Sequence, residues 1–337
     1  MNRRSAIALA LGAPALLRGR AGTAQGVAQG AAQGASSDAA DFPRRPVRMI
    51  VPFPAGGTSD VIVRYLAGHL STALGQPFVV DNRVGANGTV GLAAGLRAAP
   101  DGHTLIQISN TNTVAAVHMV RNLPFDPLRD MAGIGSVYQI PTAVMAGPAF
   151  PASSFAEFLA LVRAHPGRYD FAYSHATGAV VGHSLLLAGG LDMAAVPYRS
   201  GPQMMNDLLG GQIPLVVTDV GIALPLIQSR SIKLLAVSSP ERAALLPEVP
   251  TLKESLPTPI EFVGWGGFVA PLATPRPIVA KLNAAMNRIL ATPEADAFLR
   301  NLGAERMTGT AEGFDAFIRR EAGPWADGLR AARIEPE

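Results

Sequence analysis

The chain has 337 residues, 48% of them hydrophobic and only 16% charged, which is enough apolar material for a large core and too little charge for a disordered polymer. Its formal charge of +3 is a poor guide to partners: Arg3, Arg4, Arg18 and Arg20 precede Gln25 with no acidic residue among them, and subtracting those four leaves −1. No basic face remains to attract nucleic acid, and the absence of cysteine excludes disulfide scaffolds, thiolate metal sites and cysteine nucleophiles.

In chain order, the pair Arg3-Arg4, the apolar run Ala6 to Leu17 and the small residues Gly22 and Ala24 read as an export signal over 1–24. The run falls short of the ~20 apolar residues a spanning helix needs. The arginine pair leaves the general secretory and twin-arginine routes both open. Residues 25–41, rich in Ala, Gly, Gln and Ser without periodicity, read as a flexible low-complexity segment, and the folded part begins near Phe42.

From there short apolar runs alternate with helical patterns, the signature of an α/β protein with largely parallel sheets. Strands are expected at Arg48 to Val51, Phe78 to Val80, Thr104 to Ile108, Thr142 to Met145, Ile213 to Val217 and Ile232 to Val237. Val61, Ile62, Tyr65, Leu66, His69, Leu70 and Ala73 form one apolar helical stripe. Ser154 with Glu157 makes a capping box ahead of Phe155, Phe158, Leu159 and Val162, and His165-Pro166-Gly167 stops that helix. Ile278, Leu282, Met286 and Leu290 mark another helix, and Thr292-Pro293 starts the next. The chain crosses between two lobes near Gly147-Pro148 and again near Gly264 to Pro271. That gives a first lobe over 42–146, a second over 147–266 and a return to the first over 267–337, an arrangement that permits hinge closure.

Four polar clusters carry the candidate chemistry. Gly56 and Gly57, between the first strand and its helix, leave backbone N–H groups bare at a positive helix end, with Thr58 and Ser59 hydroxyls beside them. Asp60, which would repel an anion, reads as a capping residue. Ser109-Asn110-Thr111 follows the strand ending at Ile108, where open α/β sheets place their ligand crevice. Ser174, His175, Thr177 and Gly178 lead into a second helix N-terminus, which continues to His183. His175 and His183 have no acidic residue between them, so no metal site is expected. Thr218 and Asp219 end the strand Ile213 to Val217, and Asp219 either accepts from a ligand amine or caps the next helix. No G-x-S-x-G elbow, P-loop, H-E-x-x-H or dinucleotide fingerprint occurs.

Ordered markers give a resemblance over about Pro43 to Ile334. They include Pro46 to Phe53 with the loop Pro54 to Asp60, Leu74-Gly75-Gln76-Pro77, Asp81-Asn82-Arg83 with Gly85 to Gly88, Pro100 to Leu105, Leu123 to Pro127, Val196-Pro197-Tyr198-Arg199, Asp207 to Gln212 and Leu245 to Thr251. The chain resembles the exported substrate-binding proteins of tripartite tricarboxylate transporters, the TctC or Bug family. The resemblance implies a two-lobed periplasmic binding protein of the type II kind, each lobe a mostly parallel sheet flanked by helices. It also implies a periplasmic monomer, not an enzyme and without a cofactor, that takes a small organic acid and delivers it to membrane permease subunits. In the family the glycine loop and the loop after the third strand hold a carboxylate, here Gly56, Gly57, Thr58, Ser109, Asn110 and Thr111. The second-lobe loop departs from the family pattern at His175, Thr177, Ala179 and Val180, with fewer glycines and one hydroxyl lost. Two other readings share these residues: a ligand-sensing subunit for a sensor kinase, and a hydrolase using Ser174 or Ser59.

Overall fold

In a computed structural model, residues 40–243, 245–334 and 336 are described. The export signal at 1–24 and nearly all of the 25–41 segment lie outside them.

The strands are β1 (Val47–Val51), β2 (Phe78–Asn82), β3 (Thr104–Ser109), β4 (Met131–Ala146), β5 (Asp170–Tyr173), β6 (Ala194–Pro197), β7 (Leu215–Asp219), β8 (Lys233–Val237), β9 (Val263–Pro271) and β10 (Glu305–Arg306). The long β4 changes partners along its length. Met131 to Pro141 pairs with β9, and the stretch from Thr142 to Ala146 pairs with β7 and β8.

This division gives two sheets on one plan. The first runs β2-β1-β3-β9-β4 and the second β6-β5-β7-β4-β8. In each, the strand arriving from the other half is antiparallel to both neighbours, so the other four strands of that path run one way; the two-residue β10 adds to the first sheet antiparallel to β4. The mostly parallel α/β sheets expected from the alternating patterns are present. The C-termini of β1, β3, β5 and β7 consequently open on a common side, where the two halves face each other.

Local chemistry explains the elements around that side. Helix Thr58–Leu74 buries Ile62, Val63, Leu66, Ala67 and Leu70, so its inward stripe includes Val63 and Ala67 and leaves Ala73 exposed. Gly75, left-handed at φ 72°, ends it by donating its N–H to Ser71 O. Half of the expected capping box forms: Glu157 N donates to Ser154 Oγ, but the Glu157 carboxylate takes its return bond from Ser153 N, one residue before the cap. Thr292 caps helix Pro293–Asn301, and helix Arg276–Leu290 buries Ile278, Leu282, Met286 and Leu290. Met49, Leu66, Leu282 and Met286 belong to the first core, and Phe158, Leu185, Leu215 and Leu235 to the second. A third cluster joins the halves: Val180 of helix Ala176–Gly189 packs with Trp265 of β9 and with Trp325 and Leu329 of helix Ala311–Ala331.

Candidate ligand-binding site

Between the halves lies a cleft of about 640 Å³. Of the residues singled out in the sequence, Gly57, Thr58, Ser109, Asn110, Thr111, Ser174, His175, Thr177, Thr218 and Asp219 line it. Gly56, Gly178 and His183 do not.

The reasons are local. Gly56 sits at φ 80°, and its N–H is already donated to Asp60 Oδ2 at 2.9 Å, so it shapes the turn rather than facing a ligand. Gly178 is buried, donates to His175 Nδ1 at 3.2 Å and lies so close to β7 that a Cβ would sit 2.3 Å from Val217 O. His183 packs edge-on against Phe171 and Tyr173, and burial pushes its imidazole below the usual range.

Asp60 proves to be the anchor of the glycine loop. It is buried and also accepts from Arg64 Nε and from Asn82 Nδ2, each at 2.8 Å. Burial alone would raise its carboxyl. The bonds from Arg64, Gly56 and Asn82, with the Arg64 charge, outweigh that and hold it below the ordinary value. Its stabilisation is therefore present above the unfolded-state pKa of about 3.9 and fades as pH falls through the depressed native value. Asp60→Asn is expected to lower unfolding free energy at pH 7 by about 1–2 kcal/mol, a modest figure because half-exposed Arg64 is screened by solvent. Urea unfolding should show that difference shrinking below about pH 4.

Helix Thr58–Leu74 opens at Gly57, whose own N–H, expected to be bare, is donated to Pro54 O at 3.4 Å; Gly57 is an N-cap with no side-chain bond, and the helix's first amides have no intrahelical partners. Ser59 Oγ meets Tyr138 OH at 2.9 Å. Burial, countered by that bond and reinforced by the charge of Asp219, pushes the Tyr138 phenol up to about 12. In the same half, at the end of β3, Ser109 Oγ is buried with no hydrogen-bond partner among the described residues. Asn110 spans the halves: its Nδ2 donates to Thr177 Oγ1 at 2.6 Å, and its Oδ1 accepts from Trp265 N at 3.3 Å.

In the second half His175 caps helix Ala176–Gly189 through Nδ1 and approaches Thr218 Oγ1 at 3.2 Å through Nε2. Both ring nitrogens are engaged away from Ser174. Asp219 accepts from Thr142 Oγ1 at 3.3 Å, and burial raises its carboxyl against the lowering influence of His175 and Thr142.

The sequence reading missed several lining residues. Gly85 to Gly88 follows β2, and Arg199 to Pro202 follows β6. Both obey the same strand-end rule that found the others. Tyr138 and Trp265 lie inside the crossing strands, where no strand end flags them.

Two lobes joined by exchanged strands, with strand C-termini and helix N-termini converging on one cleft, define a solute-binding protein. Residues 62–329 match the family model of the tripartite tricarboxylate transporter family receptor, TctC. The chain belongs to that family of periplasmic binding proteins. It is 33% identical to Protein BugT of Bordetella pertussis over 298 residues, covering 87% of this chain and 90% of BugT. The solved periplasmic binding protein BugD superposes with a TM-score of 0.80 at 32% identity, covering 88% of this chain and all of BugD. MatC from Rhodopseudomonas palustris, solved with bound malate, gives 0.77 at 30% identity, covering 86% of this chain and all of MatC. An R. palustris protein solved with adipate gives 0.82 at 28% identity, covering 88% of this chain and all of that protein.

Proposed function

We propose that this protein, exported to the periplasm after loss of residues 1–24, is a monomeric receptor that closes over a small organic carboxylate and delivers it to a tripartite tricarboxylate-type permease. It acts by binding, without transforming its cargo. The observation that carries this reading is the meeting of a buried, unpartnered Ser109 hydroxyl with the uncapped start of helix Thr58–Leu74 in one cleft. Bare amides at a positive helix end favour an anion, and the unsatisfied Ser109 hydroxyl can donate to one. Solved relatives holding adipate and malate support a carboxylate as that acceptor. Charge-assisted hydrogen bonds contribute roughly 1.5–3 kcal/mol each, so a few of them in a closed cleft reach the ~8 kcal/mol of micromolar affinity.

The test is a thermal-shift panel of mono- and dicarboxylates on the native protein and on Gly57→Val. Gly57 has φ −75° and ψ 165°, and a Cβ there would meet Pro54 O at 3.4 Å, an ordinary contact. Valine therefore fits the backbone at about 1 kcal/mol for the poorer N-cap, while its methyls cover the helix amides. The expected result is a ligand-induced shift in the native protein that Gly57→Val abolishes. Unchanged affinity in the variant would remove the helix start from the site. Delivery is tested separately, by retention of permease subunits on the immobilised, ligand-loaded protein.

A further inference from the structure

Asp219 ends β7 and immediately precedes helix Val220–Gln228, yet its carboxylate makes no capping bond to that helix. It faces the cleft instead. Oδ1 accepts from Thr142 Oγ1 at 3.3 Å and lies 3.5 Å from His175 Nε2, while no hydrogen bond reaches Oδ2 from the described residues. A carboxylate offers roughly four acceptor positions, so about half are left for a ligand.

The neighbouring side chains engage Oδ1 and leave Oδ2 to the cleft. His175 Nδ1 is occupied as an acceptor from Gly178 N, and only the Nε2 edge of the ring approaches Asp219, at Oδ1. Tyr138, the other titratable group electrically coupled to Asp219, holds its proton up to about pH 12. Arg199 lines the same cleft but is exposed and makes no ion pair with Asp219.

Resting on the carboxylate reading above, we propose that the cargo carries a protonated amine remote from its acid group, received by Asp219 Oδ2, and that acids with a second carboxylate at that end are disfavoured. The helix start in the first lobe takes the acid and Asp219 takes the cation. An ammonium supplies the donors the open oxygen lacks, whereas a second carboxylate would meet a like charge there.

Calorimetric titration decides this with matched sets of ligands: pentanoate, glutarate and 5-aminopentanoate, and the corresponding sets of three, four and six carbons. At the best length the amino acid is expected to bind about 10- to 100-fold tighter than the plain acid, the range a charge-assisted bond gives. The diacid should bind more weakly than the plain acid. Asp219→Asn should cancel the amine preference. A diacid binding as tightly as the amino acid of equal length, or three equal affinities, would overturn the proposal, and this ranking in the unaltered protein holds even where the variant does not fold. A cleft that takes pentylamine but no acid of any length would instead overturn the carboxylate reading itself.

Discussion

Asn110→Leu is expected to weaken ligand binding at least tenfold and to cost about 2–3 kcal/mol of unfolding free energy. β3 ends at Ser109, paired with Gly266, and the chain then turns into the cleft. The next position of the partner strand, Trp265, pairs with Gln139 of β4 but has no β3 residue opposite it, and the Asn110 side chain accepts its N–H in place of a backbone carbonyl. The same amide donates to Thr177 in the opposite lobe. Leucine fills the volume and supplies neither bond, leaving the buried Trp265 N–H unpaired at about 1–3 kcal/mol and the lobes untied at the cleft. Urea unfolding measures the first effect and calorimetry the second. Binding that is unchanged despite lost stability would show that the bond between lobes has no part in closure. Trp265 also serves as a reporter: its indole, like that of Trp325, donates to Glu321 Oε2, so closure that moves β9 should alter intrinsic fluorescence.

Much of this site was legible because it is built at strand ends. An apolar run followed by glycines or small hydroxyl residues marks both the end of a strand and the start of a helix, and Gly57, Ser109, Ser174 and Thr218 all satisfy that pattern. The residues that escaped lie where the pattern is silent. Trp265 sits in β9 among Gly264, Gly266 and Gly267, residues that weaken a strand signature. Structure supplies the reason for two of them: a Cβ at Gly266 would meet the Tyr138 ring at 2.4 Å, and one at Gly267 the Phe314 ring at 2.4 Å. Composition records the small residue but not the ring above it. The sequence does not separate cap from ligand contact at Asp219, since both roles want a carboxylate at a strand end. Its open Oδ2 favours the second.

Gly178→Ala is expected to destabilise the protein by about 3 kcal/mol, opposite in sign to the usual effect of alanine in a helix. Helix propensity alone favours alanine over glycine by roughly 1 kcal/mol. Here the added Cβ would lie 2.3 Å from Val217 O and 3.2 Å from Tyr173 Cβ, and the nearer atom is main chain of β7, hydrogen-bonded within the second sheet. A strand held on both sides cannot retreat, so helix Ala176–Gly189 has to lift. Lifting it draws His175 Nδ1 from Gly178 N and Thr177 Oγ1 from Asn110 Nδ2. Overpacking against fixed backbone then outweighs propensity, and the same displacement should weaken ligand binding by moving one wall of the cleft. Equal or greater stability in urea would mean that the helix and β7 are less tightly apposed than the 2.3 Å contact requires.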